Sequence, residues 1–199
     1  MKLLRCTLLL TLLSPAALSG QVRYSASLDF MGGTKLATDH IFQDITVSQK
    51  VAPTVVLGAS LPVSARERFG VELGLGFGGT RIRESGAPPT TIGPAFRTLS
   101  LTGGVEGPIF RQLRYRVGAG ILKYLPDKED FFRRGGPTLL LLTGGANYHF
   151  PLKTGLDLVA RLRYDYQRFS SDEFAANGFS RTQDVHRFGG GLGIEFRLP

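Results

Sequence analysis

The fold prediction starts from Leu156–Tyr166, with the sequence LDLVARLRYDY, which we call the deciding stretch. All of its even-numbered positions are apolar or aromatic, whereas four of its five odd-numbered positions are charged. An α-helix would distribute these charges around its circumference, but a β-strand sends alternate side chains to opposite faces. The stretch therefore predicts a strand with one apolar face and one charged face. Such a strand fits a soluble sheet, whose apolar face packs on a core, and also a membrane-spanning barrel, whose apolar face contacts lipid.

The N-terminus of the chain contains a hydrophobic segment. Lys2 and Arg5 precede an apolar run, and a small-x-small cleavage site follows at Ala17–Ser19. Because this segment is too short to cross a bilayer as a helix, residues 1–19 are predicted to be a cleaved secretory signal peptide. The single cysteine would leave with it, so the predicted mature domain, residues 20–199, has no disulfide. Export without disulfides is typical of a bacterial envelope protein.

The predicted mature domain is basic and rich in glycine. Removing residues 1–19 takes away two of the 24 basic residues and none of the 16 acidic ones, which leaves a net charge of +6. A basic balance favours anionic partners. An exported chain without a recognition motif is not expected to bind nucleic acid, whereas lipopolysaccharide phosphates are compatible partners. The 26 glycines and the scarcity of helical periodicity indicate a single all-β domain.

The alternation seen in the deciding stretch recurs along the chain. Eight segments each have one face of apolar residues, and the positions assigned to these apolar faces carry no charge. The predicted strands are Val22–Met31, Lys50–Leu61, Phe69–Phe77, Ala95–Glu106, Arg114–Tyr124, Thr138–Phe150, Leu156–Tyr166 and Val185–Leu198.

The opposite faces of these strands carry thirteen charges, seven basic and six acidic. They are Arg23, Asp29, Glu72, Glu106, Arg114, Arg116, Asp157, Arg161, Arg163, Asp165, Arg187, Glu195 and Arg197. A soluble barrel needs a polar exterior, and an exterior without charge over eight strands would aggregate. The apolar faces are therefore predicted to contact lipid, while the charged faces share an enclosed interior.

The connections between strands alternate in length. Three are short and begin with a proline, at Pro62, Pro108 and Pro151, and four are long and polar. Transmembrane barrels have short periplasmic turns and longer extracellular loops. An 11-residue strand tilted by about 45° spans roughly 25 Å, the height of a lipid-facing band. The sequence predicts an eight-stranded antiparallel up-and-down transmembrane β-barrel.

With eight such strands behind a signal peptide, the chain resembles the small OmpA/OmpX-type outer-membrane β-barrels. The terminal strand, FGGGLGIEFRL, is similar to the aromatic-ended signal by which the barrel-assembly machinery recognises this family. Phe196 is followed by three further residues, whereas family members usually end at the aromatic. The resemblance implies the bacterial outer membrane as the location, the assembly machinery and lipid as partners, and a monomer.

An eight-stranded barrel has an interior filled by side chains. The thirteen charges are accordingly predicted to form a salt-bridge network, and the expected role is non-enzymatic, in envelope integrity or surface interaction. A narrow channel or transporter for small solutes is the alternative. Aromatic and basic loop residues are predicted to contact lipopolysaccharide phosphates or another surface. They are Lys128, Phe131, Phe132, Arg133, Arg134 and Arg168.

Catalysis and metal binding are weaker hypotheses. His40, Glu84 and Ser85 lie on long loops at one end and could compose a Ser-His-acid set for lipid A modification, a layout similar to that of outer-membrane palmitoyltransferases. That family's N-terminal amphipathic helix is missing here, so no catalytic residue is assigned. His149 is predicted to point inward at the opposite end, and His186 shows no partner. Without cysteine, and with histidines far apart in sequence, neither a metal site nor a cofactor is expected.

Overall fold

The computed structural model describes residues 22–33, 35–39, 45–83, 95–126, 138–170 and 182–197. The predicted signal peptide and most of the long-loop residues lie outside these ranges. Among the described residues, no helix is long and apolar enough to cross a membrane.

The described residues form ten β-strands. They are β1 (Arg23–Gly33), β2 (Lys35–Asp39), β3 (Ile45–Gln49), β4 (Ala52–Pro62), β5 (Arg68–Arg83), β6 (Ala95–Phe110), β7 (Leu113–Pro126), β8 (Thr138–Lys153), β9 (Leu156–Ser170) and β10 (Thr182–Arg197). The deciding stretch forms most of β9.

Eight of these strands close into an antiparallel barrel. Their order is β5-β4-β1-β10-β9-β8-β7-β6, and β6 pairs with β5 to complete the ring. The first and last strands are neighbours, with Arg23 of β1 opposite Arg197 of β10. The predicted eight-stranded barrel is confirmed, and closure leaves none of its strands with an unpaired edge along the wall.

The remaining two strands form a hairpin beyond the wall. β2 pairs with β3, and Thr46–Gln49 of β3 pairs with Thr80–Arg83 at the end of β5. Ile45 and Val47 belong to this separate strand and not to β4. The reason is the length of β5, whose 16 residues continue past the start of β4 and so offer β3 a free edge.

The outer surface of the barrel is an apolar belt, and its orientation is as predicted. On β9, Leu162 is 50% exposed whereas the next residue, Arg163, is 5% exposed. The same alternation exposes Leu73 on β5, Leu101 on β6 and Leu142 on β8. The outward faces of the strands are not entirely uncharged, however. Arg97 and Lys123 are exposed on the outer face of β6 and β7, beyond the region where the apolar faces were assigned.

Three short turns mark one end of the barrel. They consist of residues 63–67, 111–112 and 154–155, and the start of β1 and the end of β10 lie at the same end. The amide of Val63 donates to the carbonyl of Glu67 at 3.0 Å, and Gly155 has a φ of 80°. We call this the turn end and the opposite one the loop end. By the architecture of outer-membrane barrels, the turn end faces the periplasm.

Candidate functional site in the barrel interior

The centre of the interior is organised around one carboxylate. Glu72 points inward from β5, and its Oε1 lies 2.9 Å from Nη2 of Arg161 on β9. Its Oε2 lies 3.5 Å from Nη2 of Arg116 and 3.7 Å from Nη1 of Arg163. Arg161 also donates from Nη1 to the hydroxyl of Ser27 at 2.6 Å. One buried acid thus binds three guanidinium groups that come from two other strands.

A second buried carboxylate extends this cluster toward the loop end. Asp165 accepts from Nε of Arg163 at 2.7 Å and from Nη2 of Arg187 at 2.6 Å. Asp29 is fully buried and lies 3.8 Å from Nε of Arg161. We refer to Asp29, Glu72, Arg116, Arg161, Arg163, Asp165 and Arg187 together as the central network. Buried charges persist only when they are paired, and this arrangement supplies the pairs.

Small residues make room for these long side chains. A Cβ placed on Gly70 would come within 3.2 Å of Nη1 of Arg116, and one on Gly58 would come within 3.2 Å of Cγ of Glu72. Both glycines lie on the inward face near the central network. Glycine at these two wall positions therefore leaves the space that the long charged side chains need in order to reach across the interior.

A separate group of charges occupies the turn end. Nε of Arg114 lies 2.7 Å from Oε1 of Glu106, and the amide of Asn147 donates to Oε2 of Glu106 at 2.8 Å. On the other side of the interior, Nη1 of Arg23 lies 2.7 Å from Oε1 of Glu195. Acid and base are again paired, so the interior is ionic from its centre to the turn end.

Within the described residues, the loop-end part of the interior is different, because it buries apolar side chains in addition to polar ones. Tyr124 and Gln167, both buried, are joined by a hydrogen bond from the Gln167 amide to the Tyr124 hydroxyl. Around them lie the fully buried Met31, Val56, Leu122, Leu141 and Val185. We call these seven residues the apolar layer. Sequence reasoning assigned the interior to charges alone and missed this layer, although Leu122 and Leu141 stand at inward positions of their strands.

Among the described residues, cavities lie at the centre and at the turn end of the interior. One, of about 30 Å³, is lined by Ser25, Glu72, Arg116, His149 and Glu195 among others, which is enough for a water molecule. The other, of about 160 Å³, lies at the turn end and is lined by Arg23, Gly155, Asp157, Glu195, Phe196 and Arg197. Glu195 lines both cavities. The larger cavity connects the interior with the turn end.

The predicted charged residues are not all equally enclosed. The carboxylate of Asp157 retains 26% of its exposure, and it faces the ring of His149 rather than an arginine. Arg197 was placed in the interior network, but it is exposed on the rim of the turn end, because β10 ends there. The other eleven stand in ion pairs of the central or turn-end group.

Of the predicted surface-contact residues, only Arg168 is described. Its side chain is 64% exposed, and its Nε lies 3.5 Å from Oδ1 of Asp184. Lys128, Phe131, Phe132, Arg133 and Arg134 lie outside the described residues, as do His40, Glu84 and Ser85 of the hypothetical catalytic set.

The sequence predicted no partner for His186, and this was wrong. Its Nδ1 is 2.6 Å from the hydroxyl of Tyr164 on the outer face of the barrel, and its ring lies 5.2 Å from that of Tyr166. At the turn end, Tyr24 stacks on Phe196 with ring centroids 5.8 Å apart. Amphipathic rings at both ends of the apolar belt are typical of a membrane interface.

Comparisons with known proteins agree with this architecture. No protein-family model and no curated protein matches the sequence. Among solved structures, Neisserial surface protein A is similar over 89% of this chain and 97% of that chain, with a TM-score of 0.52 and 13% identity. The outer membrane protein AlkL (90% and 92% covered, TM-score 0.49, 15% identity) and Ail of Yersinia pestis (89% and 99%, 0.47, 17%) are also similar.

The chain therefore has the fold of the small eight-stranded outer-membrane β-barrels. At 13% identity the likeness to Neisserial surface protein A concerns the fold. The outer-membrane location predicted from the sequence follows from this fold together with the apolar belt, which only a lipid environment accommodates.

Proposed function

We propose that this protein is a non-enzymatic, non-conducting barrel that acts in envelope integrity or surface interaction. The proposal rests on one observation, which is that the interior of the barrel is blocked at two levels. The central network spans the barrel with paired charges, and the apolar layer lies beyond it at the loop end. Ions crossing the barrel would have to separate buried salt bridges and then pass the buried residues of the apolar layer, and both steps are unfavourable.

Planar-bilayer recording tests the closure. The refolded barrel, with its insertion verified by flotation of proteoliposomes, is expected to give no discrete conductance. Discrete current steps whose ion selectivity changes in Arg163→Gln would contradict the proposal and favour the channel or transporter. Hydrolysis or acyl transfer on lipid A, abolished by His40→Ala, would instead make the protein an enzyme.

A surface role is supported by basic residues on the outer face near the loop end. Leu99 of β6 is opposite Lys123 of β7, and Arg97 is opposite Leu125, so Arg97 and Lys123 are diagonal neighbours in the wall. Both are exposed, and they lie just past the apolar belt. Two cations at the lipid headgroup level are suited to phosphate groups, which arginine binds through paired hydrogen bonds. Lipopolysaccharide is the partner that we propose for them.

Binding to lipopolysaccharide micelles tests this part of the proposal. Arg97→Gln with Lys123→Gln is expected to weaken binding and to reduce its dependence on salt, because two phosphate contacts are lost. Lys153→Gln is the matched control, since Lys153 is an exposed cation at the turn end. Equal losses in both variants, or no loss in either, would contradict a phosphate site at the loop end.

Envelope integrity is tested in cells. A strain that lacks the protein is expected to be more sensitive to detergent and to large antibiotics than its parent. The wild-type barrel should restore resistance. Unchanged resistance would leave surface interaction as the role supported by the outer-face cations.

A further inference from the structure

The turn end of the interior brings together three groups that commonly bind metal ions. His149 on β8, Asp157 on β9 and Glu195 on β10 point into the barrel from three adjacent strands, and one ligand atom from each lies within 4.8 Å of the others. Asp157 and Glu195 are directly opposite each other in the β9–β10 ladder. Like charges at opposite positions repel, and Arg23 is paired with only one of the two carboxylates. We propose that these three residues bind a divalent transition-metal ion.

The second observation concerns the two ring nitrogens of His149. His149 is 6% exposed, and neither ring nitrogen has a hydrogen-bond partner among the described residues. A buried imidazole normally has its nitrogens satisfied. The Nδ1 atom of His149 is 3.5 Å from Oδ2 of Asp157 and 4.0 Å from Oε1 of Glu195. An imidazole nitrogen that lies between two carboxylates is placed where a metal ion could bind all three groups.

The distances suit a small tetrahedral ion. Ligand atoms bound to Zn²⁺ at about 2.0–2.1 Å are separated from each other by roughly 3.4 Å. The Nδ1–Oδ2 separation of 3.5 Å already matches this value, and the separation of 4.0 Å to Glu195 needs a shift of a few tenths of an ångström. Three protein ligands of nitrogen and oxygen leave the fourth position to water.

The groups around His149 also resemble those around a metal-bound histidine. Nε2 of His149 faces Oε1 of Glu106 at 3.7 Å, and that carboxylate is held by Arg114 and Asn147. Metal-bound histidines usually direct their second nitrogen to a carboxylate, which fixes the ring orientation. The Oε1 atom of Glu195 that lies near His149 also accepts from Arg23, so Glu195 would either share this oxygen between Arg23 and the ion or turn Oε2 toward the ion.

The 160 Å³ cavity supplies an access route. Asp157 and Glu195 line it, and it opens at the turn end, which faces the periplasm. A hydrated ion from that compartment can therefore reach the carboxylates without crossing the apolar layer. The ion would join β8, β9 and β10 near Arg197, the last residue of β10.

Titration calorimetry with Zn²⁺ on the refolded, chelator-treated barrel in micelles tests the proposal. The wild type is expected to bind one ion, and His149→Gln and Asp157→Asn are each expected to weaken binding by at least about tenfold. His186→Gln is the matched control, because His186 lies on the outer face near the loop end. Heat-modifiable gel migration checks that each variant is folded.

A second measurement separates a metal site from an ordinary buried ion pair. Zn²⁺ should raise the thermal unfolding midpoint of the wild type and of His186→Gln but not that of Asp157→Asn, whose side chain is partly exposed and tolerates an amide. Absence of saturable Zn²⁺ binding to the folded wild type would overturn the proposal. Equal affinity of the wild type and folded His149→Gln would overturn it as well.

Discussion

Arg161 and Glu72 join opposite walls of the barrel. Four strand steps separate β9 from β5 in either direction around the ring of eight, and Nη2 of Arg161 lies 2.9 Å from Oε1 of Glu72. The pair crosses the full interior because glycine and serine replace larger side chains on the intervening wall. This contact links charged residues on opposite strands into one network.

Neutralising the shared acid should destabilise the barrel. In Glu72→Gln, Arg116, Arg161 and Arg163 lose a carboxylate and remain buried with excess positive charge. Removing one partner of a buried ion pair costs about 3–5 kcal/mol. Urea unfolding in micelles, followed by circular dichroism, measures the change. Leu73→Val, at the next residue on the lipid-facing side, is the control and should cost less than about 1 kcal/mol; equal stability of the two variants would argue against the network.

A charged residue introduced on the apolar belt should lower the free energy of unfolding. The loss should be larger the closer the residue lies to the middle of the membrane. Leu101 is 46% exposed and lies in the middle of β6, so Leu101→Arg should cost about 2–4 kcal/mol in a bilayer. Ile109 is exposed near the turn end of the same strand, and Ile109→Arg should cost about 0–1 kcal/mol. Reversible unfolding from lipid vesicles compares them. A soluble barrel would show no depth dependence.

The apolar layer should behave as a packed core. Leu141 has no exposed surface, and truncation to alanine would leave a cavity, at a cost of about 2–5 kcal/mol. Leu142→Ala, at the adjacent residue on the lipid-facing side, removes the same atoms without creating an enclosed cavity. Denaturant unfolding of the two variants is the measurement. A larger loss for Leu142→Ala would show that the interior at the loop end is open.

The turn between β8 and β9 should tolerate only glycine at its second position. Gly155 has a φ of 80°, in the left-handed region, and a Cβ there would meet Arg197 only at 3.7 Å. Gly155→Ala should therefore cost about 1–2 kcal/mol through the backbone alone. Gly144→Ala on β8 is the control, because its Cβ would meet one carbonyl oxygen at 4.0 Å. Similar unfolding midpoints for the two variants would contradict a strained turn.

The metal hypothesis shows what spacing in the sequence cannot reveal. The expectation of no metal site came from histidines that lie far apart and from the absence of cysteine in the predicted mature domain. His149, Asp157 and Glu195 are also distant in sequence, but β8, β9 and β10 are neighbours in the ring. Their approach depends on the register in which His149 is opposite Val159 and Glu195 is opposite Asp157.

The faces of the strands that contact lipid could be predicted without coordinates. Alternation with a period of two is a local property, so Leu162 outward and Arg163 inward could be read directly from β9. The alternation of short and long connections likewise determined the up-and-down order of the strands.

The contacts between interior residues, in contrast, become visible only in the folded barrel. The pairing of Arg161 with Glu72, the apolar layer at the loop end and the hairpin of β2 and β3 all depend on how eight strands are staggered around the ring. Ring closure brings together residues far apart in sequence, and the height of each residue depends on strand tilt and register. A periodic pattern shows that a side chain points inward, but it contains no information about what that side chain contacts.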